Sequence, residues 1–325
     1  MEYVKLGNTG MEVSKLCLGC MGFGEPERGR EKWSIGEAES REVIKKALDS
    51  GINFFDTANL YSAGSSEEIV GKALKDFANF DEIVLASKLY FPRFDGPYAK
   101  GLSRKSIFAE IDHSLKRLQT DYLDLYIIHR WDYGTPIEET MEALHDLVKM
   151  GKVRYIGASS MHAWQFAKAQ FIAEKNGWTK FVSMQNLYNL LYREEEREMI
   201  PLLQDQNVAM TPWSPLAGGR LTRDIGAITA RASQAVQADL PAYIVASDNE
   251  VISRVHKLAD ERGITRGQVA TAWMLSKDYV TAPLIGATKV NYLDDALGAF
   301  EVALSAEEIK YLEEAYVPRN ITGYR

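Results

Sequence analysis

The sequence predicts a closed (β/α)8 barrel, an α/β fold filling a single domain over residues 1–325. Eight short β-branched or apolar runs alternate with amphipathic stretches, and strand–helix alternation implies parallel strands. The 325 residues hold eight such units as one domain, because barrels of this kind run past about 250 residues. The runs end on polar residues at corresponding positions, as they would if all opened on one mouth. The alternative for the same alternation is an open doubly wound sheet.

A hairpin comes first. Residues 2–6 and 12–16 flank Gly7-Asn8-Thr9-Gly10, a turn signal between two strand-like runs, placed to plug the barrel floor. The eight barrel runs are 16–19, 53–57, 83–87, 123–128, 154–158, 181–185, 208–212 and 281–286. Between them, helix 40–50 carries Val43, Ile44, Ala47 and Leu48 on one stripe, and 65–78 carries Ile69, Val70, Ala73, Leu74 and Phe77. Helix 104–118 repeats Ile107, Ile111, Leu115 and Leu118, and 136–150 carries Ile137, Met141, Leu144 and Val148. These are 3.6-residue periods. Further helices are expected at 162–176, 193–206, 248–262, 265–276, 291–300 and 306–316. Ser65…Glu68, Thr135…Glu138 and Ser305…Glu308 read as capping boxes, with Pro136 at a first helical position. The long connections 21–37, 89–103 and 217–248 follow strands 1, 3 and 7, so they fall on the face where barrels keep their active sites. The last is long enough to be a functional loop.

Composition excludes several classes. Lys and Arg number 38 against 45 Asp and Glu, giving a net charge of −7 and a pI near 5.4, which argues against a nucleic-acid partner. No apolar run approaches the roughly 20 residues that span a bilayer, and the first residues lack a signal-peptide core. The expectation is a cytoplasmic protein without a membrane partner, either monomer or homo-oligomer. Cys17 and Cys20 sit three apart on a strand and so face opposite ways, which makes neither a metal pair nor a disulfide. His113, His145, His162 and His256 have no ligand spacing, and no metal is expected.

The strand ends carry the chemistry. Asp56, Lys88, His129, Ser159, Gln185 and Trp213-Ser214 follow successive runs and would converge on one mouth. Asp56 and Lys88 suggest a buried ion pair, since either charge alone would be costly there. Tyr61 lies in the following loop. A Lys ammonium beside a phenol favours the phenolate and lowers its pKa, which tunes a poor acid toward use. His129 could donate to a carbonyl oxygen. No activated nucleophile emerges.

Asn53-Phe-Phe-Asp56-Thr-Ala-Asn-Leu-Tyr61, Ala86-Ser-Lys88, Asp124-Leu-Tyr-Ile-Ile-His129 and Gly157-Ala-Ser-Ser160 resemble the signatures of the aldo-keto reductases. So do Met184-Gln185-Asn186, Pro212-Trp-Ser-Pro-Leu-Ala-Gly-Gly219 and Ile285-Gly-Ala-Thr-Lys289. The resemblance runs in order over nearly the whole chain. It implies NADPH-dependent reduction of small aldehydes or ketones, sugar or sugar-phosphate carbonyls among them, by the tetrad Asp56, Tyr61, Lys88 and His129. Tyr61 would be the general acid, Lys88 its tuner, Asp56 the holder of Lys88, and His129 the group that orients the carbonyl. Leu18-Gly-Cys-Met-Gly-Phe-Gly-Glu25, His129-Arg-Trp-Asp-Tyr133 and Tyr192-Arg-Glu-Glu-Glu-Arg197 look like the bacterial branch that includes proteins named 1-deoxyxylulose-5-phosphate synthase.

Gly19-Cys-Met-Gly-Phe-Gly24 does not fit the dinucleotide fingerprint G-x-G-x-x-G. The resemblance implies instead an extended cofactor site over the mouth. Gly19, Cys20 and Met21 would border it, Ser159 and Gln185 would bind the carboxamide with Ser160 beside them, and Trp213 would stack on the nicotinamide. Ser214, Pro215, Leu216, Gly218 and Arg220 would line the pyrophosphate. Gly286 and Thr288 precede a helix start suited to a phosphate, Lys289 would neutralise a 2′-phosphate, and Asp295 would meet the adenine. Ala296 stands where relatives often carry Asn. Met21, Trp33, Tyr90, Trp131 and Trp213 could wall a substrate pocket. Arg130, with Arg28, Arg30, Lys32 and Arg93, could draw anions to it. Two rival functions remain: a sugar-phosphate-converting enzyme forming 1-deoxyxylulose 5-phosphate, and a cofactor-sensing protein like the potassium-channel β subunits.

Overall fold

The computed structural model describes residues 1–92, 95, 96, 98–227 and 245–324. Arg93 and part of the 217–248 connection therefore lie outside the described residues. The hairpin forms as expected from β1 (Tyr3–Lys5) and β2 (Glu12–Ser14), antiparallel with Val4 opposite Val13. Eight parallel strands follow: β3 (Cys17–Gly19), β4 (Phe54–Asp56), β5 (Val84–Leu89), β6 (Leu123–Ile128), β7 (Val153–Ser159), β8 (Phe181–Gln185), β9 (Ala209–Met210) and β10 (Leu284–Gly286). From β3 to β9 each pairs with the next in chain order, and β10 pairs with β3. The remaining seam is closed by backbone bonds: Thr281 N–H donates to Met210 O at 2.8 Å and Leu284 N–H to Pro212 O at 2.9 Å. The ring of a barrel is thus complete, and the open-sheet alternative is not what the chain adopts.

The described helices are α1 (Glu37–Asp49), α2 (Ser65–Phe77), α3 (Arg104–Leu118), α4 (Ile137–Lys149), α5 (Ala163–Asn176), α6 (Met199–Asp205), α7 (Asp248–Arg262), α8 (Arg266–Leu275), α9 (Val290–Gly298) and α10 (Ala306–Glu313). Their apolar stripes pack on the outward strand residues, as with Val43, Ile44 and Leu74 against Leu18 and Phe55 in one buried cluster. None of them is long and apolar enough to cross a membrane.

Three local expectations need correction. Ser65 does not cap α2: Gly64, at φ 91°, is the N-cap, and the Ser65 hydroxyl donates instead to Ser62 O. Thr135 does not cap α4: Pro136 is the N-cap, and the Thr135 hydroxyl is drawn to Asp132 at 2.8 Å. The helix expected over 193–206 is a short 3-10 turn, Glu194–Glu196, followed by α6. Pro201 has no N–H and would clash with the carbonyl four residues back, so it fits only the first turn of a helix that starts at Met199. The Ser305…Glu308 box forms as read.

The interior is small. Cys17, Phe54, Val84, Ala86, Leu125, Ile127, Val182, Ala209 and Leu284 fill it, and Leu6 and Val13 close it from the hairpin. Gly7 makes this plug possible: at φ 57° its Cα passes so near β8 and β9 that a Cβ would lie 2.8 Å from Ala209 N and 2.9 Å from Val182 O. Cys17 belongs to this inner cluster and Cys20 to the outer one, so the two thiols diverge as period two requires.

Candidate active site

Strand parity delivers the mouth. Phe54, Ala86, Leu125 and Ile127 point inward, and successive side chains on a strand alternate. Asp56, two residues beyond Phe54, therefore points inward at the top of β4. Lys88 does so on β5, and His129 just past β6. Run 83–87 stops short of the real strand, so Lys88 is inside β5, where both its flanks are paired. Gly157 leaves the space: a Cβ there would collide with Ser183 Oγ and press on Ile127 at 3.2 Å.

The tetrad meets. Lys88, wholly buried, forms an ion pair with Asp56, donates to Thr57 O at 2.8 Å and donates to Tyr61 Oη at 3.1 Å. An ammonium has three protons, and all three are placed. Gln185 Nε2 donates to the other Asp56 oxygen at 2.9 Å. The His129 ring meets the Tyr61 ring edge-on at 5.9 Å between centroids.

The electrostatics of this group differ in one respect from the sequence expectation. Burial pushes the Tyr61 phenol up and Lys88 pulls it down, and the balance lies above the ordinary phenol value. Lys88 thus exerts the expected pull without winning over desolvation, and Tyr61 stays protonated at neutral pH, the form a proton donor needs. Burial opposes the Lys88 charge, but Asp56 and Tyr61 outweigh it and hold the ammonium above its usual range. Burial raises Asp56, against Lys88 and Gln185. His129 is driven well below its usual value by burial, then by Lys88, Arg130 and Arg30, so it is a neutral imidazole at pH 7.

Tyr61 stands at the head of an unusual turn. Ser62 (φ 45°, ψ 45°) and Ala63 (φ 53°, ψ 38°) are both left-handed, a conformation costing about 1–3 kcal/mol per non-glycine residue.

The residues expected at the cofactor gather in two places. Gly19 and Gly286 are register partners at the tops of β3 and β10. Lys289 is the N-cap of α9 and provides no side-chain acceptor, so the first-turn N–H groups suit an anion. A shallow cavity of about 470 Å³ beside it is lined by Thr265, Gln268, Asn291, Tyr292, Asp294 and Asp295, with Asp295 accepting the Thr265 hydroxyl. The first-turn N–H groups suit an anion, whereas the Asp294 and Asp295 carboxylates lining this cavity do not. On the opposite rim, Ser159 Oγ donates to Gln185 O at 2.7 Å and the Trp213 indole donates to Ser160 Oγ at 3.1 Å. Ser214 is left-handed at φ 55°, and its carbonyl takes Asn189 Nδ2 at 2.9 Å. Pro215 is buried, Leu216 partly so, and Gly218 sits at φ 67°. Arg220 pairs with the buried Asp248 at 2.6 Å. Cys20 is buried, its thiol turned to Leu18 O, while Met21 is half-buried.

Of the residues expected around a substrate, Arg130 lies over the Phe91 ring at 5.3 Å, and Phe91 meets His129 edge-on at 5.0 Å. Tyr90, at φ 147°, packs on Phe91. Trp131 instead joins the outer core and leans on Trp164. Trp33 stands near Gly22 and Thr288, toward the phosphate side. Arg28 pairs with Glu68, Lys32 with Glu27 and Arg30 with Glu31; Arg30 is the second cation near Phe91, at 5.8 Å.

Sequence reasoning missed the supports. Asn186 accepts the Ser160 N–H at 2.7 Å and donates to Glu195 and to Tyr324, and Tyr324 donates to Glu195. The acidic run at 194–196 thus anchors the C-terminal segment beside Trp213, a long-range contact with no sequence periodicity to announce it. Burial pushes Glu195 up to about 7 against Tyr324 and Asn186. A carboxyl raised above its unfolded value contributes stability at low pH that is lost as pH rises through the folded value. We expect this residue to remove on the order of 3 kcal/mol between about pH 4.5 and about pH 7. Glu195→Gln should flatten that slope in chemical denaturation; an unchanged slope would assign the titration elsewhere.

Comparison with known proteins gives a consistent picture. The model of the Aldo/keto reductase family matches residues 15–317. The versiconal hemiacetal acetate reductase of Aspergillus parasiticus is 45% identical, over 99% of this chain and 98% of that protein. A Schizosaccharomyces pombe protein with the name of an aryl-alcohol dehydrogenase is 46% identical, over 99% and 97%. Aldo-keto reductase AFTS1 of Alternaria alternata is 44% identical, over 99% and 93%. These relatives are fungal reductases and dehydrogenases by name, and nothing among them supports the bacterial sugar-phosphate branch.

Proposed function

The chain belongs to the aldo/keto reductase family and is an NAD(P)H-dependent oxidoreductase; from that premise we propose that it reduces aldehydes or ketones to alcohols with NADPH, Tyr61 giving the proton. The observation that carries this reading is the placement of the Lys88 protons on Asp56, Thr57 O and Tyr61 Oη, which puts a protonated phenol against a fixed cation at the barrel mouth. When bound, NADPH supplies the hydride for the carbonyl carbon. Tyr61 protonates the carbonyl oxygen as negative charge develops there, and Lys88 stabilises the phenolate left behind. Asp56 keeps Lys88 charged and fixed, and neutral His129 donates to the same oxygen to orient it. Ser159, Ser160, Gln185 and Trp213 would hold the nicotinamide end. Gly286, Thr288 and Lys289 would hold the phosphates, Lys289 favouring NADPH over NADH.

The relatives' names support an aromatic carbonyl substrate, and the rings of Tyr90, Phe91 and His129 suit one. A second reading, an anionic substrate such as a sugar phosphate, is favoured by Arg130. Its Nε is buried without a hydrogen-bond partner among the described residues, and its guanidinium is lowered to about 10 by burial, and by Arg30 beside it. The test is NADPH consumption over a carbonyl panel pairing neutral benzaldehydes with carboxylated ones. Consumption with none of them, at saturating bound NADPH, would favour the cofactor sensor. Conversion of a pentulose phosphate without NADPH oxidation would favour the sugar-phosphate enzyme. Arg130→Leu should cost the carboxylated members roughly 10-fold more in kcat/KM than the neutral ones, the scale of a lost hydrogen bond between charges. Equal losses for both would exclude an anion seat at Arg130.

A further inference from the structure

The turn after Tyr61 is held from outside itself. Within it, Tyr61 N–H bonds to Ala58 O and Ala63 N–H to Leu60 O. The Ser62 N–H reaches away, to Glu31 Oε2 at 3.0 Å. Glu31 belongs to the loop between β3 and α1 and is only 2% exposed. Its other oxygen meets Arg30 Nε at 3.2 Å, and Arg30 is itself largely in solvent.

The rest of the loop lies directly on the same residue. A Cβ at either Gly24 or Gly29 would run into Ser62, so backbone alone fits there. Ser62 Oγ donates to Ser34 Oγ at 3.4 Å. Ser65 Oγ donates to Ser62 O at 2.8 Å and accepts the Glu25 N–H at 2.9 Å. Arg28, paired with Glu68, also reaches Ala63 O at 3.4 Å. Two consecutive left-handed non-glycine residues persist only where their surroundings over-determine them, and this loop is the surrounding. Burying a carboxylate is unfavourable unless it is hydrogen-bonded, and one of the bonds that satisfy Glu31 is the one that pins the turn.

We propose that Glu31 is a positioning residue for Tyr61: by accepting the Ser62 N–H it holds the turn that aims the Tyr61 hydroxyl at Lys88. Glu31 does not touch the reacting atoms. It acts through one peptide unit, and the long connection after β3 is thereby part of the proton-transfer apparatus as well as of the pocket wall. This inference rests on Tyr61 being the proton donor.

The test uses the full chain loaded with NADPH and an aromatic aldehyde, with Glu31→Ala, Glu31→Asp, Glu31→Gln and Tyr61→Phe compared. Glu31→Gln keeps an acceptor for Ser62 and should turn over close to the parent. Glu31→Ala removes the acceptor and should lose on the order of 10- to 100-fold in kcat, the scale of a misplaced catalytic group, with NADPH affinity and the aldehyde KM little changed. The alkaline limb of its kcat–pH profile should move upward, because a phenol drawn away from Lys88 loses the pull that lowers it; Asp56, Lys88, His129 and Arg130, the other charged or titratable groups around the phenol, are untouched. If Glu31→Ala does not fold, Glu31→Asp, which keeps the charge and shortens the reach, is expected to show the same loss. Parental kcat in Glu31→Ala or Glu31→Asp, a loss matched by lost NADPH affinity with an unmoved pH profile, or a Glu31→Gln as impaired as the others would each overturn the proposal. Tyr61→Phe separates the two levels: if it keeps turnover, the proton-donor reading fails; if it loses turnover while Glu31→Ala does not, only the role of Glu31 fails.

Discussion

Tyr61→Phe is expected to bind NADPH like the parent and to reduce an aromatic aldehyde roughly 10²- to 10⁴-fold more slowly, the range supplied by a positioned acid. The substitution removes one oxygen and leaves the ring. Lys88 keeps Asp56 and Thr57 O, so the ion pair survives, and the buried ammonium proton left without a partner costs the fold about 1–3 kcal/mol. The pH profile carries a second expectation. Because burial outweighs Lys88 and holds the phenol above its ordinary value, Tyr61 is protonated throughout the neutral range. A donor fails when it loses its proton, so kcat for reduction should be flat toward acid and fall only as pH rises through the alkaline range. In Tyr61→Phe that alkaline fall should vanish. Steady-state rates across pH, with NADPH binding followed by fluorescence, measure both; undiminished turnover in the variant would remove Tyr61 from the chemistry.

The barrel was legible because alternation marked the strands, and the grouping of Asp56, Lys88 and His129 because strand ends in a barrel open on one mouth; the part expected of each came from the family resemblance. In the structure period two supplies the reason: with Phe54 inside, Asp56 is inside too. Cys17 and Cys20 followed the same rule. What could not be read are the contacts between distant segments with no shared period. Nothing in the sequence ties Glu31 to Ser62, or Glu195 to Tyr324 and Asn186, since each is one hydrogen bond across a loop. Helix starts failed for a related reason. Ser65 and Thr135 stand where a cap would, but Ser62 O and Asp132 offer their hydroxyls better partners, and Pro201 sets the start of α6 more firmly than any periodicity. The phenol's balance was misjudged because the effect of Lys88 can be read from its type and place, whereas the extent of burial depends on every residue packed around it.

Lys88→Met should lose activity and stability together, and a second substitution should return only one of them. Methionine fills much of the lysine volume without its charge, leaving Asp56, 1% exposed, with Gln185 as its remaining side-chain partner. Breaking a buried pair by removing one member destabilises by about 3–5 kcal/mol. Asp56 is already pushed upward by burial, and Lys88 is the larger of the influences holding it down, so without Lys88 the carboxyl rises further. A carboxyl raised above its unfolded value favours folding at low pH and loses that contribution as pH rises through the folded value. Lys88→Met should therefore be least impaired in acid and progressively weaker toward neutrality. Asp56→Asn/Lys88→Met carries no buried charge, and Asn still offers Gln185 an oxygen, so denaturation midpoints should recover most of the loss and the added pH slope should disappear. Turnover should stay low in the double variant, because no ammonium then donates to Tyr61 Oη to stabilise its phenolate. A double variant that regained activity with its stability would mean that Lys88 serves only to neutralise Asp56.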